Sequence, residues 1–327
     1  MTKLRLSLAV GNYDRTRALV DGRVQIDGVD PVVHLLSPEE IFFRAFRSED
    51  FDICELSMSS FTVKTAQGAS PYVGIPAFLS RAFRHTSIVV RRDRIAAPAD
   101  LKGKRIGVPE YQLTACVWAR AILAEQGVLP EDVIWVRGGL EELGRPEKIT
   151  ISFPSSVKIE SAPGDKSLSQ MLAAGEIDAV IAPRLPSCFG ADATVGWLYD
   201  DPIAEASAWF ERTGIFPIMH IVGIRRALVD EHPWLPMSVF KALNSAKAVA
   251  LDELTDTSAT KVTLPFVEEQ LARARALMGR DFWSYGLQEN LPTLIAFLEA
   301  HHKQGLSSRL VSPEELFHPS TFEAYKI

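Results

Sequence analysis

Cysteine is scarce in this chain. There are three in 327 residues, Cys54, Cys116 and Cys188, far apart and each in an apolar or helical setting. An odd number without CxxC spacing excludes a disulfide framework and a local zinc motif. Buried thiols in a reducing compartment are the expectation. Long hydrophobic runs are also missing, since none approaches the ~20 apolar residues that cross a bilayer. Met1-Thr2-Lys3 leads directly into the alternating segment Leu4–Val10, without an apolar signal core or a small-residue cleavage site. The expected location is therefore the cytoplasm, with no membrane partner. There is no excess of positive charge: 35 Lys and Arg stand against 41 Asp and Glu, a net charge of -6. The charges are interspersed and form no basic face, which argues against nucleic acid. An anionic substrate would have to be drawn in by a local group of arginines. No P-loop, GxGxxG, GxSxG or HExxH pattern occurs, and there is no internal repeat or low-complexity tract.

What the chain does have is regular alternation. Hydrophobic residues make up 47% and charged residues 23%, an ordinary globular balance in a chain long enough for two domains. Strands are predicted at Leu4–Val10, Pro31–Leu35, Phe51–Glu55, Val73–Phe78, Ser87–Val90, Val133–Val136 and Ala179–Ile181. Between them come a polar loop Asn12–Arg17, a helix Pro38–Phe46 capped by Ser37, a helix running to about Gln67, a helix Ala115–Leu123, a polar loop Gly138–Lys148 and a helix Leu168–Ala174. After the extended apolar run Gly214–Arg225 the chain is mostly helical, at Pro236–Leu254, Pro265–Met278 and Leu291–His301. Such alternation implies an α/β fold with mostly parallel sheets and helices on both faces, with ligands collecting beyond the carboxyl ends of the strands. Two extended crossings, near Ser87–Arg92 and Phe216–Ile224, let one lobe be inserted into the other. The expected lobes are 1–90 plus 217–327, and 91–216.

Several segments carry a family resemblance. "DLKGKRIGVP" (Asp100–Pro109), a strand followed by a loop and a helix N-terminus, resembles the second lobe of type II periplasmic-binding-protein-like folds. Longer blocks are similar to the 4,5-dihydroxyphthalate decarboxylases: "VGIPAFLSRAFRHTSIVVR" (Val73–Arg91), "LKGKRIGVPEYQLTACVWAR" (Leu101–Arg120), "RTGIFPIMHIVGIRR" (Arg212–Arg226) and "LMGRDFWSYG" (Leu277–Gly286). "EHPWLP" (Glu231–Pro236) and "PEELF" (Pro313–Phe317) extend the match. The resemblance implies a two-lobed fold with mixed sheets, a hinge cleft and C-terminal helices. It also implies a carboxy-lyase that converts 4,5-dihydroxyphthalate to protocatechuate and CO2. The competing expectations are a small-carboxylate-binding protein of the same fold without chemistry, or another small-acid enzyme such as a pyrimidine or thiamin-precursor synthase, since fold does not fix function.

Decarboxylating such an arene needs cations for the carboxylates, a base for the phenol para to the departing carboxyl and an acid for the ring carbon. Arg81, Arg84 and His85, after the strand Val73–Phe78, form the densest candidate cluster, because arginine forks match carboxylates. His85 and His220, one near each crossing, are the expected acid–base pair, with Glu110 a further candidate and Glu55 in reserve. Asn12, Arg15, Ser57 and Ser59 lie at strand ends in the first lobe. Tyr111, Thr114 and Arg184 lie in corresponding positions in the second and complete the expected substrate contacts. Trp118, Trp283 and Tyr285 could stack on a ring, although core packing is their default. No organic cofactor is expected. A divalent ion could draw on Glu55, His85, Glu110 and His220, although no local spacing supports one. The partner is a small aromatic dicarboxylate, and a homo-oligomer is left open.

Overall fold

The computed structural model describes residues 2–143, 149, 151 and 153–323, so the loop predicted over Gly138–Lys148 lies outside it from residue 144 onward. The chain divides into two compact units. The first comprises Met1–Arg81, Ile218–Ile295 and Val311–Ile327. The second comprises Ala82–Pro217 and Ala296–Leu310.

The chain begins with β1 (Leu4–Val10), α1 (Asp14–Val20), β2 (Val29–Leu35), α2 (Pro38–Arg47), β3 (Ile53–Ser57), α3 (Met58–Ala66) and β4 (Tyr72–Arg81). The start of α2 is written in its sequence. Ser37 accepts a hydrogen bond from the Glu40 N–H, Pro38 opens the first turn, and Glu39 and Glu40 face the positive dipole end while Arg44 and Arg47 close the other. Its apolar stripe, Ile41, Phe42, Ala45 and Phe46, is buried.

The expected loop Asn12–Arg17 is shorter than predicted. The chain turns over Gly11–Tyr13 and enters α1 at Asp14. The polar run hid a helix whose buried side is carried by Thr16, Ala18 and Leu19. The strand expected to end at Phe78 continues to Arg81, because its end still pairs with the neighbouring strand at Ile218.

The second unit follows with β5 (Ile88–Arg91), β6 (Arg105–Val108), α4 (Thr114–Glu125), β7 (Ile134–Arg137), β8 (Lys158–Ser161), α5 (Leu168–Ala173), β9 (Ala179–Ile181), β10 (Val195–Trp197) and α6 (Pro202–Thr213). The chain then returns through β11 (Ile218–Arg225) to α7 (Arg226–Glu231), α8 (Leu235–Thr255), α9 (Val267–Met278), α10 (Leu291–Lys303) and α11 (Pro313–Leu316).

The first sheet has the order β2-β1-β3-β11-β4 and the second β10-β5-β9-β6-β7-β8. β1 is parallel to β2 and β3, and β6 is parallel to β7 and β9. The antiparallel members are the two crossing strands. β11 lies between β3 and β4, antiparallel to both, and β5 lies antiparallel between β9 and β10. A strand that enters a parallel sheet from the opposite end must run against its neighbours.

Two segments fall in a different unit from the one expected. Residues 82–90 belong to the second, because β5 pairs with β9 and β10. Residues 296–310 also belong to it. Phe297 packs on Trp118 with ring centroids 5.4 Å apart, and Gln304 accepts from Arg120 Nε at 2.7 Å and donates to the Val117 carbonyl at 3.0 Å. An amphipathic helix shows that it has a core face but not which sheet that face will meet. All three cysteines are buried and free. Among the described residues no helix is long and apolar enough to cross a membrane.

The C-terminal segment is seated on β4 through a glycine. Gly74 bridges to Phe317, and its carbonyl accepts from the His318 N–H at 2.9 Å. A Cβ at Gly74 would collide with the backbone oxygen of Leu316. Backbone cannot rotate away as a side chain can, so Gly74→Ala is expected to destabilise the protein by about 1–3 kcal/mol. Urea unfolding checks this, and an unchanged midpoint would show that the C-terminal segment is not held here.

Candidate active site

The first unit builds a polar cluster around one carboxylate. Glu55 sits on β3 in the otherwise apolar run Ile53–Leu56 and is fully buried. Three donors converge on it: the Gly11 N–H at 3.0 Å, the Tyr13 hydroxyl at 3.0 Å and His220 Nδ1 at 2.6 Å. The sheet explains the meeting. β1 delivers Gly11 at its carboxyl end, and β11 places His220 opposite Ser57 and Val222 opposite Glu55. Glu55 and His220 are therefore diagonal neighbours on one face of the sheet.

As a carboxylate Glu55 is an acceptor only, so Nδ1 of His220 carries the proton directed at it. In the neutral ring Nε2 is then the free base. The ring packs edge-on against Phe42 at 4.8 Å and keeps 17% of its side chain exposed. Burial, and then the charge of Glu55, hold the Tyr13 phenol far above its ordinary range, so it remains a donor at neutral pH. Gly11 leaves room for this arrangement, because a Cβ there would run into the Tyr13 ring.

Arg15 lies beside the cluster. Its guanidinium carbon is 4.2 Å from the centroid of the Tyr13 ring and 4.5 Å from that of Trp283. Nε donates to the Leu79 carbonyl at 2.5 Å, and Nη1 lies 3.2 Å from Asp14. The planar cation is thus held by aromatic faces and one carbonyl, which suits it to a carboxylate. Ser57 is a buried N-cap that accepts from the Ser60 N–H, and Ser59 is buried within α3. Asn12 is exposed and accepts from Arg17 at 2.8 Å.

Arg81 is not in a loop. It ends β4, buried, and its Nη2 donates to the Ser284 carbonyl at 2.7 Å and to the Asn290 side chain. Desolvation lowers its pKa to about 9. These contacts make it a clamp between β4 and the segment before α10.

The remaining candidates belong to the second unit. Arg84 precedes a short helical turn, His85–Ser87, and its Nη1 lies 3.4 Å from Ser87 Oγ. Burial lowers its pKa to about 10. His85 is 2% exposed, with ring centroids 5.5 Å from Tyr199 and 5.7 Å from Trp209, and its Nδ1 meets no hydrogen-bonding partner. Desolvation lowers its pKa to about 4. Of the expected acid–base pair, His85 is thus the member that burial holds in its neutral form.

Tyr111 likewise faces the core rather than a ligand. Its ring lies under the Arg120 guanidinium at 3.8 Å and is edge-on to Trp135 at 5.6 Å. Glu110 is half-buried and accepts from Gln112 at 3.1 Å. Thr114 opens α4 and is buried, and Arg184 is exposed beyond β9. Among the described residues no three His, Cys, Asp or Glu side chains are grouped to hold a metal.

Glu55, expected near the site only as a reserve candidate, is the centre of this cluster, and Tyr13, from the same strand-end loop as Asn12 and Arg15, joins it. The available signal was a lone acid inside an apolar strand, since such a charge stays buried only when it is paired.

Compared with known proteins, the chain is 59% identical over 330 residues to a 4,5-dihydroxyphthalate decarboxylase of Comamonas testosteroni, an alignment covering all of both chains. It belongs to the 4,5-dihydroxyphthalate decarboxylase family. A Pseudomonas putida protein of the same name is 63% identical over 213 residues, 64% of this chain and 83% of that one. Residues 33–146 match the NMT1/THI5 like family model.

Solved structures show the fold. The alkanesulfonate-binding protein SsuA of Xanthomonas axonopodis pv. citri superposes with a TM-score of 0.53 at 14% identity, over 97% of this chain and 98% of that one. A Candida albicans protein described as having the generic periplasmic binding protein fold gives 0.51 at 9% identity, over 100% and 99% of the two chains. The family's fold is therefore the two-sheet α/β periplasmic-binding-protein type, as the sequence blocks implied.

The burial of His85 has a consequence for stability. Its folded pKa, about 4, lies below the ordinary value of 6.5, so the unfolded chain binds the proton more readily. The contribution is complete above about pH 6.5 and is lost as the pH falls through about 4, with a slope of up to about 1.4 kcal/mol per pH unit. Urea unfolding between pH 6.5 and 4.5 is expected to show a steeper loss for the wild type than for His85→Leu. Equal slopes would mean that this ring takes up its proton in the folded protein.

Proposed function

We propose that this chain removes CO2 from 4,5-dihydroxyphthalate and leaves protocatechuate. The observation that carries this reading is the 59% identity, end to end, with a relative of that name. The cluster around Glu55 supports it chemically.

In the substrate each carboxyl is para to a hydroxyl. In the reaction proposed here His220 Nε2 takes the phenol proton, and charge flows into the ring. The carbon para to that oxygen gains a proton from a solvent-exchangeable acid and becomes tetrahedral in a cyclohexadienone. The bond to the carboxylate then breaks. CO2 leaves, the electron pair restores the aromatic ring, and the imidazolium returns its proton to the phenolate oxygen. One proton is consumed and one CO2 released.

Glu55 fixes the tautomer of His220 and stabilises the imidazolium that forms. Tyr13 and the Gly11 N–H hold the carboxylate in place. Arg15, fixed by two rings, holds a substrate carboxylate bidentately. The three buried free thiols suit a reducing compartment, so the reading places the enzyme in the cytoplasm.

The decisive experiment is to incubate purified protein with 4,5-dihydroxyphthalate and follow CO2 and protocatechuate. In D2O the product is expected to carry deuterium at the vacated carbon. His220→Asn and Glu55→Gln are each expected to lower kcat by roughly 10²–10⁴-fold with retained circular dichroism. Binding without turnover by the wild type would overturn the activity. Full turnover by both folded variants would move the base elsewhere.

A further inference from the structure

Given the decarboxylase activity proposed above, on which this inference rests, we propose that the Tyr285 hydroxyl and Arg15 together grip the substrate carboxylate that the reaction keeps. Tyr285 lies in a short segment laid along β4 of the first unit. The Gly286 N–H donates to the Pro76 carbonyl at 2.9 Å, Trp283 Nε1 donates to the Phe78 carbonyl at 2.9 Å, and the Ser284 carbonyl accepts from Arg81. Tyr285 is 5% exposed, with its ring edge-on to Phe78 at 6.4 Å and Lys247 Nζ 4.7 Å from the ring centroid. A ring wedged in this way cannot swing its hydroxyl into solvent. That hydroxyl is shielded from water and has no hydrogen-bonding partner among the described residues. A buried donor left unpaired is destabilising, and its presence in a native fold calls for an acceptor from elsewhere.

The surroundings say which acceptor fits. The charges of Arg15, Arg81, Glu55 and Asp14 all act on the Tyr285 phenol, and burial holds it far above its ordinary range, so it stays a donor at neutral pH. The two arginines cannot accept a hydrogen bond. Glu55 already receives three donors, and Asp14 is taken by Arg15. Arg15 has a donor to spare as well. Its Nε serves the Leu79 carbonyl and its Nη1 serves Asp14, while Nη2 has no acceptor among the described residues. Trp283, two residues before Tyr285, fixes the guanidinium with its ring at 4.5 Å. Two neighbouring donors, one of them a cation, fit one carboxylate, whose oxygens take up to four hydrogen bonds. Chemistry decides which carboxylate. The departing one leaves as neutral CO2, so a cation held on it would favour the reactant over the transition state and slow its loss. The retained one keeps its charge throughout and can be gripped without that penalty. Protocatechuate also has a carboxyl para to a hydroxyl and is electronically able to lose a second CO2. With its one carboxylate held by Arg15 and Tyr285, it is kept from the position where the bond breaks, and the reaction stops there.

Calorimetric titration of the full chain with protocatechuate, and with catechol, which lacks the carboxylate, tests the grip. Tyr285→Phe is expected to weaken protocatechuate binding by roughly tenfold to a hundredfold, and Arg15→Gln by at least as much. Neither is expected to change catechol binding. In turnover of 4,5-dihydroxyphthalate the Tyr285→Phe loss is expected in KM rather than kcat, since the contact is made alike before and in the transition state. The wild type is expected to form no catechol from protocatechuate. Tyr285→Phe is also expected to unfold in urea no earlier than the wild type, because it removes an unpaired donor. Protocatechuate binding that is absent from the wild type, unchanged in both variants, or lost in step with catechol overturns the proposal. A lower kcat with unchanged KM overturns it too, by placing Tyr285 on the departing carboxylate. Lower stability with unchanged affinity would assign the hydroxyl to a buried water instead. A wild type that binds without turnover overturns the activity alone, and the titrations still decide the grip.

Discussion

The burial of the Glu55 carboxylate is the constraint on which the rest of the candidate site depends. A carboxylate removed from water must be met by donors or it will not stay ionised. Here the donors come from three places: the backbone after β1, the side chain of Tyr13 in the same turn, and His220 on β11. That requirement explains why Gly11 cannot carry a side chain, why the Tyr13 phenol resists ionisation, and why His220 presents a defined ring nitrogen. One buried acid thereby ties the end of β1 to the middle of the sheet.

The two histidines singled out in the sequence show how surroundings divide one residue type into two roles. His220 shares its ring with a carboxylate and retains partial access to solvent. His85 is enclosed by Tyr199 and Trp209, and burial, outweighing the charge of Glu125, favours its neutral form. The same side chain is oriented by a carboxylate in one setting and packed among rings in the other. Arg81, Arg15 and Arg120 divide in a similar way. Arg81 and Arg120 are sealed among carbonyls, amides and rings, whereas Arg15 is held between two aromatic faces at a partly open position.

Both sheets have the same construction. Each has a parallel centre, and each accepts one strand running against it, β11 in the first unit and β5 in the second. Because β11 enters between β3 and β4, it brings a residue more than 160 positions away in sequence onto the face that carries Glu55. The crossings that divide the chain into two units thus also complete the polar cluster of the first.

Period and polarity are local, and the sequence alone determined what depends on them. The strand–helix alternation, the capped helix at Pro38, the two apolar crossings, the buried thiols and the family blocks were all legible in it. The same local reading mistook the polar face of α1 for a loop and ended β4 too early, because neither a buried helix side nor a strand partner shows in a short window. Only the tertiary structure decided which residues meet. Glu55, Tyr13 and His220 converge because β1, β3 and β11 are neighbours. Tyr111 and His85 point into cores, and residues 296–310 pack with the second unit. Those outcomes are set by long-range packing and by the cost of leaving a buried charge unpaired, which no short stretch of sequence records.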